Sequence, residues 1–182
     1  MRKVVYVIRH CKATGQERDA HLTSEGMEQA ETLSQFLIEY PVQRIMTSPY
    51  LRAIESIMPY AEKKGIIVEQ DERLGERVLS SRNDISNWLE RLEESFKDFS
   101  LTLEGGESSS EATQRVESLI EDVKKMKEEH IVLVSHGNLI TLLLKLFDEN
   151  YGFSEWKAMS NPDIFMVQLT DEKPSVSRIW RE

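Results

Sequence analysis

The chain has 182 residues, 40% of them hydrophobic and 30% charged, and 23 basic against 32 acidic side chains leave a net charge of −9. That length suits one globular unit, and the balance excludes collagen-like, low-complexity and largely disordered chains. The acidic surplus disfavours nonspecific binding to nucleic acid or anionic membrane, and the longest apolar run, 139–144, which contains Thr141, falls far short of the ~18 residues that read as a membrane span.

The opening MRKVVYVIRH lacks the apolar stretch and cleavage site of a signal peptide, so a cytoplasmic protein is expected. Residues 3–8 are a β-branched run, read as a buried strand that stops at Arg9-His10. Residues 11–21 are polar and irregular, a loop. Thr23 or Ser24 then caps a helix to about residue 39, with Met27, Ala30, Leu33, Leu37 and Ile38 on its inward face and Pro41 ending it. A short strand is expected at 43–47. Ser48-Pro49 opens a second helix, with Ala53, Ile54, Ile57, Met58 and Ala61 inward and Gly65 just past its end.

A third strand is read at 66–69. Ile85, Trp88, Leu89, Leu92, Phe96 and Phe99 recur at helical spacing, so a helix is expected over about 84–99, its apolar stripe a core face rather than the lining of a substrate cap. A long amphipathic helix covers 108–128 through Ala112, Val116, Leu119, Ile120 and Val123. A fourth strand at 131–134 ends at Ser135-His136-Gly137, a helix follows to about residue 147, and two final strands flank Lys173-Pro174. This alternation argues a three-layer α/β sandwich: a mostly parallel central sheet between helices, with a possible terminal hairpin. Residues 1–182 are read as one domain in which the strandless stretch of about 71–107 is a small helical cap insertion.

Ligands of open α/β sheets bind beyond the carboxyl ends of the strands. The first strand ends in Arg9-His10. The second ends in Thr47-Ser48, with Arg52 one turn into the next helix, and the fourth ends in Ser135-His136-Gly137. Arg73-Leu74-Gly75-Glu76 brings a carboxylate to the same mouth. Two arginines, two histidines and a carboxyl group suit a phosphoryl group. Guanidinium forks match phosphate oxygens, neutral imidazole is a nucleophile toward phosphorus, a protonated imidazole stabilises spreading charge, and a carboxylic acid can protonate a leaving oxygen. No metal is needed where cations do this work, and the one cysteine, Cys11, rules out a disulfide or a multi-cysteine zinc site.

Arg9-His10, Leu22-Thr23-x-x-Gly26, Ser48-Pro49-x-x-Arg52-Ala53, Leu74-x-Glu76, Gly105-Gly106-Glu107-Ser108 and Ser135-His136-Gly137 stand in the order found in the histidine phosphatase superfamily. The chain resembles that family, which includes the cofactor-dependent phosphoglycerate mutases, from residue 3 to about 140. The resemblance implies that His10 is the nucleophile that becomes phosphohistidine, that Arg9, Arg52 and His136 bind phosphate, that Glu76 donates the proton, and that no metal or cofactor takes part. Gln16 stands where the family often has a phosphate-contacting Asn. Cys11 replaces the usual Gly, so that a Cβ intrudes where backbone approaches phosphate, while Lys12 replaces a common Glu and Ala13 a Ser or Thr. The expected activity is a phosphatase acting on small phosphomonoesters. Alternatives are a phosphoglycerate mutase-type phosphotransferase, disfavoured by the short insertion, and a noncatalytic phosphate-binding relative.

A cysteine-based phosphatase needs an arginine six positions after the cysteine, and Glu17 stands there. Cys11 is therefore read as a bystander at the rim of the site, oxidation-sensitive if neighbouring cations lower its pKa. His21 and His130 are assigned to surface or helix-end positions without partners. Lys124, Lys125 and Lys127 among acidic neighbours are a solvated helix end. The expected partner is a small phosphorylated substrate, with neither nucleic acid nor membrane. Neither the substrate's identity nor the oligomeric state is legible.

Overall fold

A computed structural model describes residues 2–181. Its elements in chain order are β1 (Arg2–Arg9), α1 (Ser24–Leu37), β2 (Arg44–Thr47), α2 (Leu51–Lys64), β3 (Val68–Gln70), α3 (Trp88–Lys97), α4 (Ser109–Lys125), β4 (His130–Ser135), α5 (Gly137–Lys145), α6 (Phe153–Ala158), β5 (Asp163–Thr170) and β6 (Ser175–Arg178). A 3-10 turn at Glu72–Leu74 follows β3.

In a strand, successive side chains face opposite ways. Val4, Tyr6 and Ile8 of β1 face one side of the sheet and Val5 and Val7 the other, and all five are buried. The first set packs with Leu33 and Leu37 of α1 and Ile57 and Tyr60 of α2. The second packs with Val116 and Leu119 of α4 and Leu139 and Leu142 of α5. Apolar residues on both faces thus demand helices on both faces, which is the three-layer sandwich expected from the sequence.

The strand order is β3-β2-β4-β1-β5-β6. β3, β2, β4 and β1 run parallel, whereas β5 is antiparallel to both β1 and β6. Register then places the site. Arg9 pairs with Ser135 on one side and Asp163 on the other, and Thr47 pairs with Val134, so the carboxyl ends of β1, β4 and β2 are level.

Several details depart from the sequence reading. Met27 and Ile38 do not face inward and are 56% and 41% exposed. The buried stripe of α1 runs instead through Gly26, Ala30, Leu33, Ser34 and Leu37. Gly26 is required there, because a Cβ on it would lie 2.0 Å from the Lys12 carbonyl oxygen. The helix of the 71–107 stretch starts at Trp88 rather than near residue 84, and Trp88 and Leu89 are exposed rather than core, with Leu92 the buried member. α6 was not anticipated, since six residues are too few to show a helical period. Among the described residues no helix is long and apolar enough to cross a membrane.

Candidate active site

Because the strand ends are level, His10, Ser48 and His136 emerge side by side. The rings of His10 and His136 lie 5.1 Å apart between centroids, at 60°. Arg52, 1% exposed, comes from the first turn of α2, and its Nε donates to His10 Nε2 at 3.2 Å. His10 Nδ1 lies 2.7 Å from the Cys11 carbonyl oxygen. A carbonyl only accepts, so Nδ1 carries the ring hydrogen and Nε2 holds the lone pair. Burial lowers the His10 pKa to about 3 against the opposing pull of the Cys11 carbonyl, with the Arg52 and Arg9 charges adding to the lowering. The imidazole is therefore neutral and nucleophilic near neutral pH. Asn161 Nδ2 donates to the His10 carbonyl at 2.9 Å and fixes the main chain behind it.

Both arginines are tethered to main-chain carbonyls, and Arg9 also carries an unsatisfied nitrogen. Arg52 Nη1 donates to the carbonyls of Gln16 and Glu17 at 3.1 and 2.8 Å. Arg9 Nη1 donates to the Met159 carbonyl at 3.1 Å. Arg9 Nε is buried with no hydrogen-bond partner among the described residues. His136 Nε2 lies 2.7 Å from Ser48 Oγ, which also accepts from the Tyr50 N–H at 3.2 Å, while His136 Nδ1 is buried without a partner. Burial holds the His136 pKa well below its ordinary value, with the cationic neighbours adding to the effect. Tyr50 roofs the group, its ring centroid 4.8 Å from that of His136 and 5.0 Å from the Arg52 guanidinium carbon. A Cβ on Gly137 would sit 3.2 Å from the Arg9 guanidinium carbon, so the bare backbone is what lets Arg9 lie against the start of α5.

Glu76 reaches the same place from the turn after β3. Its Oε1 accepts from the N–H groups of Arg77 at 2.8 Å and Leu139 at 3.0 Å, and its Oε2 accepts more weakly from Asn138 at 3.2 Å. Burial raises its pKa against the opposing effect of these amides and of Arg9. The bland alternative, pairing with the Arg73 or Arg77 side chain, does not occur. Arg73 pairs with Asp71 and Asp122, and Arg77 donates to the Glu107 carbonyl and Ser95 Oγ.

The structure thus brings together His10, Arg9, Arg52, His136 and Glu76. Gln16 is exposed and meets the group through its main-chain carbonyl. Cys11 is not at the rim. It is fully buried in the core cluster with Ile8 and Leu22, its N–H donates to Ser56 Oγ, and burial pushes the thiol up to about 12. Neither a Cβ intruding on the phosphate site nor an oxidation-prone thiolate follows. His21 and His130 do have partners, Glu55 at 2.7 Å and the Tyr6 hydroxyl at 3.0 Å, and His130 opens β4 rather than ending a helix. Ser48, Tyr50 and Asn161 were given no role from sequence. Ser48 and Tyr50 lie within a recognised motif, whereas Asn161 lies in a loop with no local signal.

Buried polar atoms without partners cost about 1–3 kcal/mol each. Arg9 Nε and His136 Nδ1 lack acceptors, and the oxygens of a tetrahedral anion would supply them beside the His10 Nε2 nucleophile.

Comparison with known proteins agrees with this geometry. The sequence profile of the histidine phosphatase superfamily (branch 1) matches residues 5–181. A Hydrogenobacter thermophilus protein provisionally named phosphoserine phosphatase 2 is 27% identical, over 96% of this chain and 93% of its own. A mycobacterial glucosyl-3-phosphoglycerate phosphatase in complex with inorganic phosphate superposes with a TM-score of 0.79 at 22% identity, covering 99% of this chain and 97% of that one. A phosphoglycerate mutase from Bacillus anthracis gives 0.75 at 19% identity, covering 98% and 92%. With the profile spanning nearly its whole length, the chain belongs to the histidine phosphatase superfamily, branch 1, whose members move phosphoryl groups by phosphohistidine chemistry.

Proposed function

We propose that the chain is a phosphatase that hydrolyses small phosphomonoesters through a phosphohistidine on His10. The observation that carries this reading is the pair of buried atoms without partners among the described residues, Arg9 Nε and His136 Nδ1, next to a His10 Nε2 whose lone pair accepts from Arg52 Nε. An entering phosphate takes the Arg52 donor from His10 and so uncovers the nucleophile. Nε2 attacks phosphorus, the ester P–O bond breaks, and Glu76 gives its proton to the departing alkoxide. Water then attacks the phosphohistidine while the Glu76 carboxylate takes its proton. The N–P bond breaks with its electron pair returning to Nε2, and phosphate leaves. Arg9, Arg52 and His136 stabilise the equatorial oxygens in both steps without a metal. Gln16 acts through its main-chain carbonyl, which accepts from Arg52 Nη1 and positions that guanidinium rather than touching phosphate. Residues 71–107 act as the cap over the alcohol side.

The length of the cap does not by itself separate hydrolysis from phosphoryl transfer, since the Bacillus mutase covers nearly the same fold. The oxygen source does. Turnover in ¹⁸O-labelled water should place one labelled oxygen in each phosphate released. Unlabelled phosphoryl groups passed to a second hydroxyl would make the chain a mutase-type transferase instead.

A further inference from the structure

Beside the phosphate-binding residues stands a row of aromatic rings that the catalytic machinery does not use. The indole Nε1 of Trp156, on α6, would lie 3.2 Å from a Cβ on Gly137, as the Arg9 guanidinium would, so Trp156 stands beside the phosphate-binding arginine. Trp88, at the start of α3 in the cap, meets Trp156 edge to face at 6.3 Å between centroids. Phe153 stacks behind Trp156 at 5.6 Å, and Phe96 lies behind Phe153. The inner end of this row is seated against the core through Phe96, but its outer end is not: Trp88 is 50% exposed. A half-exposed indole packed edge to face on a second ring is a ready contact face, because it presents a large apolar area with only two side-chain torsions to fix.

Charge points the same way. Residues 71–107 carry ten carboxylates against five basic side chains. Arg18 is paired with Glu72, Lys12 with Glu25, Arg82 with Asp84 and Arg91 with Glu94. A substrate whose alcohol portion bears its own carboxylate meets a cap with twice as many carboxylates as basic side chains.

Resting on the phosphatase reading above, we infer that Trp156 and Trp88 are specificity-determining residues that select phosphomonoesters whose alcohol carries an uncharged aromatic ring, over esters of small polar or carboxylate-bearing alcohols. The ring packs on the two indoles while the phosphoryl group sits on Arg9, Arg52 and His136.

Binding of phosphonates, which cannot be hydrolysed, tests this apart from catalysis. The probes are 2-phenylethylphosphonate, ethylphosphonate and the phosphonate analogue of phosphoserine, measured by titration calorimetry against the full chain. The phenylethyl compound should bind about tenfold or more tightly than the ethyl compound, the scale of one ring packed on an aromatic face. The phosphoserine analogue should bind no better than the ethyl one. The phenylethyl-to-ethyl ratio should fall to about threefold or less in Trp156→Ala and in Trp88→Ala, and Trp88→Phe should restore most of it. The exposed position of Trp88 keeps the test open if Trp156→Ala does not fold. Equal affinities in the unaltered chain, a preference for the phosphoserine analogue, or a ratio that neither tryptophan moves would overturn the inference. Failure of the phosphatase reading registers elsewhere, as the lack of a phosphoryl-enzyme, and does not alter these ratios.

Discussion

Replacing His10 by alanine should lower turnover of any phosphomonoester by about 10⁴-fold or more, because the remaining groups of a concerted site have nothing to act upon once the nucleophile is gone. The expectation rests on geometry. His10 Nδ1 is committed to the Cys11 carbonyl, so Nε2 is the one nitrogen with a lone pair to offer, and Arg52 Nε holds it in line at 3.2 Å. Inorganic phosphate should still bind His10→Ala, since Arg9, Arg52 and His136 remain and the Arg52 Nε donor is released. Retained binding with lost turnover separates a nucleophile from a residue that merely helps hold the anion. Turnover within about tenfold of the unaltered chain would remove His10 from the covalent role, since that is less than one positioned proton donor contributes.

The second large effect belongs to Glu76. As the acid that protonates the leaving oxygen, it should contribute ~10²–10⁴-fold with ethyl phosphate, whose alkoxide leaves poorly, and little with nitrophenyl phosphate, whose phenolate needs no proton. Glu76→Gln keeps an acceptor for the α5 amides but has no proton to give. In the first step, read as the rate at which the phosphoryl-enzyme forms, it should therefore slow the first substrate and spare the second, while water attack on the phosphohistidine slows alike for both. Oε1 already accepts two N–H groups and Oε2 only one longer bond, which leaves Oε2 as the seat of the proton. Burial raises this pKa, so the protonated form persists to higher pH than for an exposed Glu, and donation is lost as pH rises through the raised value. Ethyl phosphate hydrolysis should therefore show an alkaline limb that vanishes in Glu76→Gln. If the residue only caps the start of α5, both substrates should slow equally in the first step and the limb should stay.

Strand ends carried most of what was legible in the sequence. A β-branched run such as 3–8 has few readings, and once it is a strand its terminal Arg9-His10 must lie at the mouth of a parallel sheet. The parallel register then made Ser48 and His136 neighbours of His10 without any contact being visible in sequence. Side-chain direction was not legible in the same way. Cys11, one residue past the strand, could face either the pocket or the core, and its N–H bond to Ser56 turns it inward. The 71–107 stretch was read correctly as strandless, but its apolar spacing was taken for a core face. Periodicity shows that a helix has an apolar stripe and not what the stripe touches, and for Trp88 the neighbour is Trp156, on a helix too short to be foreseen. Asn161 illustrates the limit: its bond to the His10 carbonyl joins residues 151 apart in sequence, through a loop that carries no pattern.

The central claim, that phosphorus becomes bonded to His10 Nε2, is open to one direct measurement. The chain is mixed rapidly with excess nitrophenyl phosphate, quenched in alkali, digested and mapped by tandem mass spectrometry. The account predicts a phosphoryl group on the peptide containing His10, stable in base, lost on brief exposure to acid, and absent from His10→Ala. A phosphoryl group mapped to Cys11 or another side chain, or turnover with no phosphorylated peptide at any quench time, would contradict it.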